Sequence, residues 1–174
     1  MDDAVNTIVS GLKFSSEKGE LLYNNIRYIL IRPATLIQFQ KLLEERFGES
    51  ISELMFKAAH DIGTLIGRRL VEQSGLSQQE MITSMLKSAN ELGWGKLFLK
   101  KSDEYPHKVV LEAVNSVFAE TYGRSPGPVC HLIRGIFCGA LSQIVGPIME
   151  SREIECKSMD FPKCTFEFRM VLER

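Results

Sequence analysis

The 174-residue sequence lacks any apolar run near the ~20 residues that a membrane-crossing helix needs. It also lacks a basic stripe. Its 21 Lys and Arg and 22 Asp and Glu are interspersed, and the densest positive stretch is the pair Lys100-Lys101. That distribution gives no electrostatic footprint for nucleic acid, so no direct nucleic-acid contact is expected. The acidic start Met1-Asp2-Asp3 leads into no apolar segment, so no secretory signal is read and a cytoplasmic location is expected. There is no GxxxxGK[ST] phosphate loop, GxSxG elbow, HExxH pair, GxGxxG nucleotide loop or CxxC pair. Repeats, low-complexity tracts and Pro/Ser linkers are missing too. A catalytic site is therefore not expected, although a triad assembled only in space leaves no such local trace.

What is present is a globular balance, 44% hydrophobic and 25% charged. A chain of this length buries one substantial core, so a single domain over 1–174 is expected, with 1–18 weakly structured or an N-terminal extension. Glu20 to Tyr23 and Arg27 to Ile31 flank Asn24-Asn25 and predict a β-hairpin, since Asn tolerates positive φ in a tight turn. Pro33 then stops the second strand. Helical spacing predicts a helix over 35–47 with Gly48 as its C-cap. Ser50 and Glu53 match a capping box, and Ile51, Leu54, Met55, Ala58, Ile62, Leu65, Ile66 and Leu70 form one apolar stripe, expected to be the buried face. A second box, Ser77 with Glu80, opens a helix whose Met81 and Met85 read as core filler. Leu97 to Leu99 and Lys108 to Val114 predict strands, although Val109 to Tyr122 also fits a helix by period. Ser125-Pro126 predicts the start of a last helix ending at Gly146-Pro147. The final hairpin joins Ser151 to Cys156 with Cys164 to Val171, the second arm alternating at period two. Hairpins mixed with about four clustered helices predict an α+β fold with antiparallel pairing.

The cysteines are Cys130, Cys138, Cys156 and Cys164, all in the last 45 residues of the chain. In a reducing compartment such clustering points to metal or a reactive thiol rather than a disulfide. Zinc takes four ligands from thiolate, imidazole and carboxylate, and Cys130, Cys156, Cys164 and Glu153 would satisfy it. Cys156 and Cys164 lie on the two hairpin arms. Cys130 is expected in the first turn of the last helix, where the helix terminus favours a thiolate. Residues three apart in a regular strand face opposite ways, so Glu153 and Cys156 can share a metal only if the strand bulges or ends between them. Glu155, Asp160 and His131 are the alternative fourth ligands. The competing reading is that these thiols are small buried residues, which is the reading given to Cys138 in mid-stripe. Of the other histidines, His60 lies beside a helical stripe and His107 in a turn, and neither is assigned chemistry.

Cys130, the helix Gly135-Ile136-Phe137-Cys138-Gly139, Glu153-x-x-Cys156 and Cys164-x-Phe166 resemble the 4-vinyl-reductase domain family. The specific part spans about 45 residues, and the order of elements extends the likeness at lower specificity. The resemblance implies the α+β fold shared with TRAPP vesicle-tethering subunits. It implies a structural zinc held by Cys130, Glu153, Cys156 and Cys164, because family members in aromatic-sensing transcription activators use three cysteines and a glutamate beside a pocket for phenols. It also implies a small hydrophobic or aromatic ligand, for which Gly135, Phe137 and Gly139 are the candidate pocket wall; close helix packing is the other reading of the two glycines. Arg134 and Ala140 stand where relatives often carry tyrosines. The expected function is therefore a ligand-binding sensor module with a structural zinc. The alternatives are a scaffold acting through a homodimer interface and a reductase acting on a vinyl-bearing tetrapyrrole.

Overall fold

The computed structural model describes residues 6–170 other than 49, 74, 101, 147 and 148. Two antiparallel sheets and six α-helices make up the described chain. A short helix α1 (Thr7–Gly11) and strand β1 (Lys13–Ser15) come first, in a stretch whose sequence signal is weak. The side chain of Asn6 caps α1, accepting from Val9 N, and its amide ties the segment to Glu91 O at 2.8 Å. Strands β2 (Glu20–Tyr23) and β3 (Ile26–Tyr28) form the expected hairpin, and β1 adds to β2. Asn24 and Asn25 sit at φ 50° and 61°, the left-handed pair that a two-residue turn between twisted strands requires. The second arm is shorter than expected. Ile29-Leu30-Ile31 runs on outside the sheet, with Leu30 85% exposed.

Pro33 opens helix α2 (Pro33–Phe47), where its fixed φ suits a first-turn position and its missing N–H costs nothing. Gly48 caps the helix at φ 68°. Helix α3 (Ser50–Gln73) starts on Ser50 itself, whose hydroxyl donates back to Phe47 O at 2.9 Å. Helix α4 (Gln78–Glu91) has the expected capping box: Ser77 N donates to Glu80 Oε2 at 2.8 Å, and Ser77 Oγ accepts from Glu80 N at 3.4 Å. Strands β4 (Lys96–Lys100) and β5 (Lys108–Val114) follow, then a short helix α5 (Val117–Tyr122). The helical period seen over 109–122 thus belongs to α5 in its last part, while β5 takes the first.

Helix α6 (His131–Ile144) begins later than Ser125-Pro126. Residues 123–130 form a loop, and Cys130 is the residue just before the helix rather than part of its first turn. Pro126 and Pro128 bracket Gly127 there, and a residue before proline is pushed out of the helical region. The chain ends in β6 (Met149–Glu155), a 3₁₀ turn (Lys157–Met159) and β7 (Cys164–Met170). Val171 lies outside the described residues.

The second sheet has the order β4-β5-β7-β6, all antiparallel. Its inner face carries Leu97, Val109, Leu111, Ala113, Phe166 and Phe168, which pack with α4 and α6 into the core. The outer face carries a ladder of charges: Glu112 pairs with Lys163 at 2.6 Å and Lys100 at 3.5 Å, and Glu167 with Lys108 at 2.9 Å.

The α3 stripe read from sequence does not face this core. Leu54, Ile62, Leu65 and Ile66 are exposed, while Ala59, Gly63 and Gly67 are the buried positions. The reason is backbone approach. A Cβ on Gly67 would sit 2.6 Å from Ala140 O, and one on Gly135 would sit 2.5 Å from Phe56 O. Cβ atoms on Gly63 and Gly139 would likewise run into Ile136 O and His60 O. Small residues at i, i+4 and i+8 on α3 meet two glycines on α6, so the helices touch main chain to main chain. Burial of the larger stripe would hold them apart.

Candidate metal centre

The ligand atoms of Cys130, Glu153, Cys156 and Cys164 all lie within 4.8 Å of one another, although up to 34 residues separate them in sequence. The three thiols are fully buried. Cys130 is placed by the start of α6 and Cys164 by the first inward position of β7, opposite Ala113 of β5. Cys156 follows the end of β6 in extended conformation, at φ −137° and ψ 136°.

A β-bulge settles how Glu153 and Cys156 share a face. Glu153 pairs with Phe166 but Glu155 pairs with Thr165, so Ile154 is an extra residue in β6. Without that residue, side chains three apart would diverge. With it, Glu153 and Cys156 both turn inward and Ile154 is left half-exposed. Two of the alternative ligands are engaged elsewhere: Glu155 accepts from Thr165 Oγ1 at 2.5 Å, and Asp160 pairs with Arg124 at 2.5 Å. His131 is buried next to Cys130 in sequence but is not part of the cluster.

The Sγ–Sγ separations are 3.7 Å for Cys130–Cys164 and 3.8 Å for Cys156–Cys164. These are far too long for a disulfide. They match the edge of a tetrahedron built on zinc–sulfur bonds of about 2.3 Å, which is about 3.8 Å. Glu153 supplies the second sign of fit. Its Oε2 accepts from Cys130 N at 3.0 Å, whereas its Oε1 is buried with no hydrogen-bond partner. A carboxylate with one oxygen pinned by main chain and the other bare is oriented as a ligand. Each sulfur also has a polar neighbour outside the cluster: Ser116 Oγ at 3.4 Å from Cys130, Ser158 Oγ at 3.0 Å from Cys156, and Lys157 N donating to Cys164 at 3.4 Å. Such outer partners orient thiolates and spread their charge.

Four acids crowded into one buried site push one another's protonation apart. Hydrogen bonds to Cys156 and Cys164, then burial, push the Cys130 thiol well up. Cys156 is pushed far down by hydrogen bonds from Cys130 and Cys164. Cys164 is drawn down by Cys130 but driven up by Cys156 and by burial, and ends at about 12. Burial, with the adjacent Cys156 charge, lifts Glu153 to about 8. One sulfur carries charge while its neighbours keep their protons, the arrangement a divalent cation would relax.

The other candidate residues are placed differently. Gly135 and Gly139 lie on the α6 face that meets α3, and Phe137 is buried in the core. Cys138 is buried, and burial raises its thiol. Sequence reading assigns nothing to Arg134 beyond its departure from tyrosine. The structure puts its Nη1 on Ser151 O at 3.0 Å and its guanidinium over the Phe56 ring at 4.2 Å.

With this geometry in view, the family comparison is decisive for the C-terminal part. Residues 109–170 match the vinyl-4-reductase domain. The match spans β5 to β7 and so contains all four clustered residues. The resemblance read from the cysteine pattern holds, and so does the α+β fold class. Among solved structures, the phenol-responsive sensory domain of the transcription activator PoxR, with phenol, is similar at TM-score 0.79 and 20% identity, covering 93% of this chain and 86% of that one. A vinyl-4-reductase family protein from Methanocaldococcus jannaschii is similar at TM-score 0.57 and 17% identity, covering 83% and 84%. A trafficking protein particle complex subunit 3 from Naegleria fowleri, covalently bound to palmitic acid, is similar at TM-score 0.57 and 13% identity, covering 79% and 93%. At these identities the likeness is one of fold. No curated protein sequence matches the chain. Among the described residues, no helix is long and apolar enough to cross a membrane.

Proposed function

We propose that this chain is a single-domain small-molecule-sensing module of the vinyl-4-reductase type, located in the cytoplasm, its C-terminal hairpin fastened to α6 by one structural zinc. The observation that carries the metal reading is the bare Glu153 Oε1 facing three sulfurs spaced at tetrahedral edge length. Cys130, Glu153, Cys156 and Cys164 would be the ligands. Bound there, zinc would supply a closed four-coordinate cross-link rather than a catalytic water site, since no position is left open. The chain's own residues do the rest. Cys130 N orients the carboxylate, the bulge at Ile154 sets its direction, and the outer hydroxyls hold the sulfurs. Sensing is supported by the fold shared with the phenol-responsive domain of PoxR.

Metal analysis of the purified full chain by mass spectrometry tests the first half, with one zinc per chain expected. A metal-free, fully folded protein would overturn it. Thermal shift with a panel of neutral and charged aromatics and fatty acids tests the second half, and a flat response across the panel would sink it.

A second reading, a homodimeric scaffold, is favoured by the exposed apolar face of α3 at Leu54, Ile62, Leu65 and Ile66. Light scattering at high concentration separates the two. A strict monomer removes the scaffold reading.

A further inference from the structure

Between α3 and α6 lies an open cleft of about 720 Å³, within the range of small-molecule sites. Arg134, one turn into α6, forms one wall with Cys138, and Glu53, Phe56, Lys57 and His60 of α3 form the other. Arg134 is half-buried, and burial disfavours its charge. Its guanidinium lies against the Phe56 face and spends one donor on the neutral carbonyl of Ser151. It takes part in none of the ion pairs of the described residues. A partly desolvated guanidinium with no carboxylate is costly, because planar bidentate pairing is what normally compensates it. The lining carries two cations, Arg134 and Lys57, against one carboxylate, Glu53. That balance suits a single negative charge and opposes a dianion such as phosphate. Phe56 and the exposed Leu54 add apolar surface to the same cleft.

We propose that this cleft binds a monocarboxylate with an apolar body, Arg134 pairing with the carboxylate and Phe56 and Leu54 flanking the body. The proposal rests on the sensing reading above and names its ligand class. Arg134 also holds Ser151 of β6, two residues before Glu153, so the anchor joins the cleft to the strand that bears a cluster residue. An occupied site would thus alter a contact made to the C-terminal hairpin.

The test is calorimetric titration of the full chain with benzoate and with its neutral isostere benzamide. Benzoate is expected to bind at least tenfold more tightly than benzamide. Arg134→Gln is expected to weaken benzoate at least tenfold. Lys57→Gln, at an exposed side chain whose loss leaves the fold intact, is expected to weaken it about threefold. Equal affinity for benzoate and benzamide, no benzoate binding, or wild-type benzoate affinity in Lys57→Gln together with Arg134→Gln would each overturn the proposal. Should Arg134→Gln fail to fold, the benzamide comparison and Lys57→Gln still decide. Neutral aromatics binding while benzoate does not would end this proposal and leave the sensing reading standing.

Discussion

From β5 to β7 almost every large apolar side chain is buried; from α1 to α3 many are not. Val109, Leu111, Phe137, Phe166 and Phe168 are sealed in the core, whereas Phe14, Ile29, Leu30, Phe39 and Phe47 stand largely in solvent. The difference follows from what each region packs against. β5 and β7 are central strands with neighbours on both sides and helices on their inner face, so each inward residue has a fixed place. Among the described residues, the three-stranded sheet β1-β2-β3 has no such cover, and the Ile29-Leu30-Ile31 link has no partner strand. The C-terminal region is complete in itself. The N-terminal region presents apolar surface of the kind that marks interaction sites.

The largest way to break this contrast is to remove a sulfur. Cys164→Ala is expected to abolish metal content and to lower stability by about 4 kcal/mol or more, a fall of roughly 10 °C in Tm by calorimetry. An unchanged Tm would mean that the C-terminal region owes its order to apolar packing alone. Next comes the helix contact. Gly139→Ala would drive a methyl into His60 O and is expected to cost about 2–3 kcal/mol in urea unfolding, against a gain in helix propensity of about 1 kcal/mol at most. The opposite face of α3 should behave differently. Leu65→Glu is expected to change monomer stability by less than about 0.5 kcal/mol. If α3 is an interface, the same change should halve the mass seen by light scattering.

The smallest effect concerns the outer face of the second sheet. Lys163 and then Lys100 hold the Glu112 carboxyl below its usual range, more than offsetting its burial. A group with a depressed folded pKa stabilises fully above its unfolded value of about 4.3, and that contribution is lost as pH falls through the folded value. Urea midpoints should therefore drop on acidification below about pH 4, and Glu112→Gln should make that acid limb shallower.

How much of this was legible beforehand varied with the kind of signal. The Asn24-Asn25 turn and the Ser77–Glu80 box were readable because each is a local device whose residues carry the geometry themselves. The cluster Cys130, Glu153, Cys156 and Cys164 was readable through its resemblance to a family, since spacing alone left Glu155, Asp160 and His131 open as ligands. The orientation of α3 was misread for a physical reason. Its sequence holds two stripes, one large and apolar and one of Ala59, Gly63 and Gly67, and the second gains its value only once Gly135 and Gly139 are known to lie opposite. The start of α6 was misplaced because Pro126 reads as a helix opener in isolation, while the loop it belongs to is fixed from afar. Ser125 N donates to Ser158 O at 2.8 Å, across a long stretch of chain. Arg134 gave no sign in sequence because a charge without a carboxylate partner becomes visible only when its surroundings are.

The extra residue in β6 has an arithmetic consequence. Side chains in a strand alternate, so whether Glu153 and Cys156 converge depends on an odd or even count, not on which residue supplies the count. Ile154 is replaceable by almost any side chain, because it points outward and bonds nothing the cluster needs. Deleting it is another matter: parity flips, and either the carboxylate or the thiol swings to the far side of the sheet. This segment should accept wide variation in spelling and none in length.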